Sequence, residues 1–384
     1  MNPTPLALPV CIILVALFIL TLSIRRLRKV GSLPYRKWRR VTERAVLSAV
    51  ILVCGAATLT TVYNTIAVRY YESIYKAPGK LYDVEGYRMH LYCTGDGSPT
   101  IVLNTGLGAG ALWWGKVQPE LSKTTRVCSY DRTGMGWSEP RPAPQDADQI
   151  AIQLHTLLKQ AGVTGPIVLM GHSSGGLYIR DYASHYPENL TGLIFVDSST
   201  PQQGDYGSPE VRRELSTKGS IYKYYYYLGS MAWALGIPRL MGLCSKVEAG
   251  FEERDGRMFA EGICGLLLGE IWKEFKSVPQ SFEETIHTGP YGDLPILIFS
   301  QDPQGPSGAH APSRLDIEEM AVWNQLQEDL KKLSTRSRRI IARGSGHGIP
   351  FERPDLLNKE VPVFVRQIRN EAPQPMDYGS TKTE

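Results

Sequence analysis

The stretch PIVLMGHSSGGLYIRDYASHYP (Pro166–Pro187) decides the fold. Its residues Ile167 to Gly171 are apolar or small, as a buried strand requires. Two serines flanked by glycines follow, and Ser174 to Tyr186 then read as a helix halted by Pro187. A serine hydroxyl is a weak nucleophile, so it must be held out from the sheet beside a base and near donors for an oxyanion. A sharp turn from strand to helix does this, but crowds the positions two before and two after the serine. Around Ser173 those positions are Gly171 and Gly175; around Ser174 they are His172 and Gly176. Only Ser173 has glycine on both sides, so Ser173 is the serine on display, in a G-x-S-x-G turn. Ser174 starts the helix, where its backbone N–H faces a developing negative charge.

Apolar strands and helical patterns alternate on both sides of this turn. TIVLNTG (Thr100–Gly106), Arg126–Tyr130 and LTGLIFVDSS read as strands, and QDADQIAIQLHTLLKQAG as an amphipathic helix ending at Gly162. KLYDVEGYRMHLYCTG alternates around Glu85-Gly86 like a hairpin. This order predicts a largely parallel sheet covered on both faces. It breaks between Ser198 and Asp293, a Tyr-rich stretch that reads as helical, with Tyr222, Tyr224 to Tyr227 and Trp233 read as core of that insertion in preference to a lipid-binding belt. It resumes with LPILIFSQD, a long helix, RRIIARGSGHG and a last helix near Val361–Asn370.

A displayed serine needs a histidine base and an acid. His347 follows the last strand on a Gly-rich loop, and His310 is the loop-borne competitor. The acid is expected at Asp302, directly after the penultimate strand, with Asp197 at the end of LIFVD as the alternative. The oxyanion donors are expected to be the backbone N–H groups of Ser174 and of Leu107, in the turn LNTGLGAG. The glycines of that turn miss the G-x-G-x-x-G spacing of a dinucleotide site.

The motifs LNTGLG, YDRTGMGWS, GHSSGG, FSQD and GSGHG occur in the order found in serine-type α/β-hydrolases. From about Leu81 to Asn370, about three-quarters of the chain, the sequence resembles that family. The resemblance implies a mostly parallel eight-stranded sheet with helices on both faces, a helical lid inserted after the sixth strand, and a structural role for Asp131 and Arg132. Serine at the turn sets the chain apart from the haloalkane dehalogenase and epoxide hydrolase branches. One departure is Asn104-Thr105-Gly106, where many relatives carry His-Gly before the oxyanion donor.

The N-terminal part is of another kind. Leu6–Ile24 and Ala45–Val68 are uncharged and long enough to cross a bilayer. Between them, from Arg25 to Arg44, stand nine Lys/Arg and one acid, a net +8; since the whole chain carries +4, the rest carries −4. A mildly acidic remainder gives no reason to expect nucleic acid as a partner. The basic block follows the first apolar run instead of preceding it, unlike a signal peptide. The positive-inside rule places this block in the cytoplasm and everything after Tyr70 outside it. Residues 1–70 are thus expected to be a multi-pass membrane anchor with spans at 6–24 and 45–68. Residues 71–197 and 293–371 are expected to form the core, 198–292 the lid and 372–384 a disordered tail. Of six cysteines, Cys244 and Cys264 could pair, whereas Cys93 and Cys128 read as buried strand thiols.

Together these features predict a membrane-anchored serine hydrolase acting on a small-molecule or lipid-like carboxylic ester through an acyl-enzyme, with no metal or organic cofactor. An acyltransferase or peptidase on the same triad, or a non-catalytic binding module, are the alternatives. The oligomeric state is left open.

Overall fold

The computed structural model describes residues 6–204, 207–247, 249–265, 268–305 and 313–369. The expected tail at 372–384 and His310 lie outside them. Two long helices come first, α1 (Ala7–Val30) and α2 (Lys37–Ile74). Next are β1 (Lys80–Val84), β2 (Tyr87–Thr94), β3 (Thr100–Asn104), α3 (Gln118–Leu121) and β4 (Val127–Tyr130). Then come α4 (Ala147–Gln160), β5 (Ile167–His172), α5 (Gly175–His185) and β6 (Leu190–Val196). Helices α6 (Pro209–Ala234), α7 (Ile237–Leu240), α8 (Glu253–Cys264) and α9 (Leu268–Thr285) follow, with no strand among the described residues. The chain closes with β7 (Ile296–Gln301), α10 (Arg314–Asp329), β8 (Ser337–Ala342), α11 (Ile349–Glu352) and α12 (Pro354–Ile368).

These elements fall into two compact units. One holds the chain up to Pro78, Thr133–Pro140 and Lys218–Trp272. The other holds Gly79–Arg132, Arg141–Thr217 and the chain from Lys273.

The second unit is built on one eight-stranded sheet, in the order β1-β2-β4-β3-β5-β6-β7-β8. β2 runs antiparallel to both its neighbours, and β3 to β8 are parallel. Every residue of β3, β4 and β5 is buried, because helices cover both faces. On one face Leu157, Leu158 and Ile179 pack on Val102, Leu169 and Phe195. On the other Leu357, Val361 and Val365 pack on Ile101, Val168 and Leu297. Each such side chain stabilises the fold by roughly 1.5–3 kcal/mol. The β1–β2 turn has positive φ at Glu85 (54°) and Gly86 (84°), the twist that a two-residue hairpin needs.

One cysteine reading is overturned here. Cys93 and Cys128 are directly opposed in the β2–β4 register and form a disulfide instead of standing as free thiols. An antiparallel pairing brings two strand residues within bonding reach, and no single strand's pattern carries that information.

In the first unit α1 and α2 pack together, and both run beyond the expected spans. Helix continues through much of the basic block, leaving only residues 31–36 between them. Arg26 Nε donates to Glu43 Oε1 at 2.6 Å across the pair. Helices α7 and α8 pack on the C-terminal half of α2. Asn64 Nδ2 donates to Trp233 O at 3.0 Å and Asn64 Oδ1 accepts from Arg239 Nε at 3.1 Å. The Arg239 guanidinium also pairs with both Glu261 oxygens, at 3.1 and 2.7 Å, and lies over the Tyr71 ring. A second disulfide, Cys244–Cys264, closes this group. Of the aromatic residues read as insertion core, Tyr226 and Trp233 pack against Met135 and Ile271, whereas Tyr222, Tyr224, Tyr225 and Tyr227 are exposed.

Candidate active site

The turn after β5 has the crowding that its glycines predict. Ser173 sits at φ 55°, a left-handed conformation rare for a residue with a side chain. A Cβ at Gly171 would lie 2.5 Å from the Gly175 carbonyl oxygen, and one at Gly175 would lie 2.7 Å from the Asn104 carbonyl oxygen. Neither position can carry a side chain without moving backbone. The turn is tied to the next strand, where Ser173 N donates to Val196 O at 3.2 Å and Ser173 O accepts from Ser199 N at 2.8 Å.

His347, on the loop after β8, brings its Nε2 to 2.9 Å from Ser173 Oγ. Its Nδ1 lies 2.6 Å from Asp197 Oδ2, at the end of β6. The other Asp197 oxygen, Oδ1, accepts from Gln301 N and from Trp323 Nε1, both at 2.9 Å. The fully buried carboxylate is therefore aimed by two donors, with one oxygen left for the imidazole. Trp323 also stands edge-on to the imidazole, with ring centroids 5.7 Å apart.

Asp302, the acid expected from its place after the penultimate strand, is not beside the histidine. Its Oδ2 accepts from Gly344 N at 2.9 Å, and its Oδ1 from Gln304 N at 3.1 Å and Arg343 Nη1 at 3.2 Å. The sheet order gives the reason. β6 lies between β5, which carries Ser173, and β7, which carries Asp302. An acid at the end of β6 is one strand nearer the serine. Asp302 instead pins the start of the loop that carries His347. The N–H groups of Gly344 and Gln304, with the Arg343 charge, hold its carboxyl below the usual value.

His172 supports the same loop. Its ring is buried and its Nε2 donates to the carbonyl oxygen of His347 at 2.9 Å, fixing that loop from below. Burial, and then the neighbouring His347, lower its pKa to about 3, so it stays a neutral donor.

The turn after β3 lies against the serine: a Cβ at Gly106 would be 2.9 Å from Ser173 Cβ. Among the described hydrogen bonds, neither Leu107 N nor Ser174 N donates. A buried ion pair braces this turn. Arg132 Nη1 donates to Thr105 O and Thr105 Oγ1, both at 2.9 Å, and Nη2 to Gly106 O at 2.7 Å. Glu274 Oε1 lies 2.8 Å from Arg132 Nη2 and accepts from Tyr178 OH at 2.7 Å, while its Oε2 accepts from Gly108 N at 3.2 Å. Burial alone would lower the Arg132 pKa, but the Glu274 charge outweighs it and the guanidinium stays protonated. No local pattern marked Glu274, which lies far along the chain in α9.

Residues 99–216 match the family model for the alpha/beta hydrolase fold. A thermophilic esterase from Thermogutta terrifontis superposes with a TM-score of 0.52 at 20% identity, over 75% of this chain and 98% of that one. The chain has the alpha/beta hydrolase fold. Among sequence relatives, this hydrolase-fold chain is 29% identical to the uncharacterized protein YbdG of Bacillus subtilis, over 86% of this chain and 98% of YbdG. It is 26% identical to a protein of Hormonema carpetanum named "Probable transporter efuK", over 75% of this chain. It spans only 42% and 60% of the lengths of the first two curated relatives it matches.

Several other polar groups of the hydrolase-fold unit are held by partners other than Ser173. Asp131 receives Ala111 N at 2.6 Å and lies 2.8 Å from His90 Nδ1, both buried. His155 stacks on Tyr186, and His287 is exposed. Asp148, Asp181 and His185 each bring one possible ligand atom within 4.8 Å of the others, where α4 meets α5. His185 Nδ1 there lies 3.2 Å from Asp181 Oδ2, an ion pair when the ring is protonated.

Proposed function

We propose that this chain is a membrane-anchored serine hydrolase that cleaves a carboxylic ester through an acyl-enzyme. The observation that carries the reading is the position of His347, whose two ring nitrogens lie 2.9 Å from Ser173 Oγ and 2.6 Å from Asp197 Oδ2. Ser173 Oγ attacks the ester carbonyl carbon while its proton passes to His347 Nε2. The buried Asp197 carboxylate holds the ring and stabilises its charged form. The oxyanion is received by the N–H groups of Leu107 and Ser174. As the C–O bond breaks, the imidazolium proton leaves with the alcohol. Water then attacks the acyl carbon, giving its proton to His347, and the acid departs as Ser173 is restored. Every step is a proton transfer or acyl transfer that these side chains can perform without a metal or an organic cofactor.

The anchor is read from α1 and α2, 24 and 38 residues long, each with a window apolar enough to span a bilayer and mostly unburied by protein. The basic residues between the spans favour a cytoplasmic connection and an extracytoplasmic catalytic unit. Two disulfides suit that oxidising side.

The test is a panel of esters and amides of graded acyl length, with and without added alcohols. Wild type should release free acid from esters, and Ser173→Ala should lower kcat by about 10⁴-fold or more and abolish labelling by a fluorophosphonate. Full turnover by Ser173→Ala would end this reading. Acyl transfer to the added alcohol in preference to water would make the enzyme a transferase.

A further inference from the structure

The surface of the first unit carries an apolar face that is exposed among the described residues. On α6 it presents Ile221, Tyr224, Tyr225, Tyr227, Leu228 and Met231, each at least half exposed. Around α7 it continues with Ile237, Leu240, Met241 and Leu243, the middle two 62% and 69% exposed. Scattered exposed apolar residues are ordinary, but a contiguous set of this size marks a surface that meets something.

What it meets follows from where it is held. The segment starting α7 is seated on α2 within that helix's own apolar stretch. A Cβ at Gly236 would lie 2.8 Å from Asn64 Cβ and 3.3 Å from the Thr60 carbonyl oxygen. Residue 64 is four residues inside the end of the uncharged run at Val68, about 6 Å along the helix axis. On the same part of α2, Leu59, Tyr63 and Ile66 remain 72%, 56% and 63% exposed. The apolar surface of the spanning helix and that of α7 are therefore neighbours at one depth. The polar groups at the junction are turned inward: Asn64 is satisfied by Trp233 O and Arg239, and the Arg239–Glu261 pair is 8% and 6% exposed. Polar groups satisfied within the protein, with apolar groups outside, suit a lipid boundary. Tyrosines on α6 have the amphipathic rings found at the level of lipid headgroups.

We propose that α7 and the exposed face of α6 are embedded in the extracytoplasmic leaflet of the phospholipid bilayer, as a monotopic element docked on α2. This rests on the membrane reading of α2. Amphiphilic esters dissolved in that leaflet are then the substrates present at the highest local concentration.

The full chain, with Cys11→Ser and Cys54→Ser and both disulfides intact, is placed in phosphatidylcholine nanodiscs. Single cysteines are introduced as Met241→Cys, Leu228→Cys, Val53→Cys and Glu253→Cys and labelled with an environment-sensitive bimane. Lipids brominated near the headgroup end of their acyl chains should quench the Met241→Cys and Leu228→Cys labels roughly twofold or more, leaving Glu253→Cys unchanged. Lipids brominated deeper should quench Val53→Cys. If Val53→Cys is quenched while the Met241→Cys and Leu228→Cys labels respond only to aqueous iodide, the embedded face is disproved and the anchor stands. If Val53→Cys responds to no lipid quencher, the anchor reading fails and takes this proposal with it. Labels shielded from both lipid and iodide would mean that a second protein surface covers the face, which also overturns the proposal.

Discussion

Asp197 and Asp302 end neighbouring strands, follow similar apolar runs, and do different work. Asp197 is enclosed, receives Gln301 N and Trp323 Nε1 on one oxygen and turns the other to His347. Asp302 spends its oxygens on Gly344 N, Gln304 N and the Arg343 guanidinium. One carboxylate addresses the imidazole; the other shapes the loop that delivers it. A carboxylate's role is set by which donors occupy it, and those donors come from distant parts of the chain.

The largest expected effect separates these two directly. Asp197→Asn should lower kcat by about 10⁴-fold, because an amide fixes the wrong imidazole tautomer. Asp302→Asn should cost no more than about tenfold, since it loosens a loop without touching the ring. Equal losses measured by ester turnover would place both carboxylates in one role.

Arg132 and Glu274 form a buried pair bracing the turn after β3. Glu274→Gln should lower kcat by about 10²-fold with little change in KM, because the turn bearing Leu107 N loses its brace. It should also destabilise the fold by about 3–5 kcal/mol, since Arg132 keeps a buried charge without a counter-ion. The double variant Arg132→Met with Glu274→Met should recover much of the melting temperature but not the rate. Recovery of both would make the pair purely structural.

The smallest effects are in pH dependence, where Asp302 and Asp181 have opposite signs. Asp302 has its pKa lowered, so its stabilising contribution is present above the unfolded value and lost as pH falls through the folded one. Asp302→Asn should melt below wild type at pH 7, the gap closing below about pH 4. Asp181 is raised to about 6, chiefly by burial. Its contribution is present below the unfolded value and lost as pH rises through about 6. Asp181→Asn should therefore melt roughly 2–4 °C above wild type at pH 8 and match it near pH 4. Thermal melts of the three proteins across this range check both signs.

Features fixed by short-range sterics or composition were legible in the sequence. Gly171 and Gly175 identified the sharp turn because the backbone of the turn itself excludes a Cβ there. Glu85-Gly86 marked the hairpin, and the uncharged runs marked the long helices. What was not legible depends on which strands become neighbours. Asp197 and Asp302 stand at equivalent positions in sequence, and only the sheet order separates them. The Cys93–Cys128 bond needs the β2–β4 register. Glu274 reaches Arg132 from 142 positions along the chain, and nothing local to α9 announces it. The α6 tyrosines divide, Tyr226 packed inward and four others exposed, because an aromatic run has the same composition whether it fills a core or lies on a surface.

Ser173 and Asp197 share one further property: both hold positive φ, 55° and 44°, at the ends of adjacent strands. Left-handed geometry at a non-glycine residue costs of order 1–3 kcal/mol. A glycine in place of Ser173 would relax that backbone, so the inert Ser173→Gly protein should be the sturdier one; at Asp197 the same relief is offset by the buried donors Gln301 N and Trp323 Nε1 that a glycine would leave unpaired. The chain keeps a side chain where its own mechanics would favour having none, and that tension sets how far the fold can be hardened before turnover suffers.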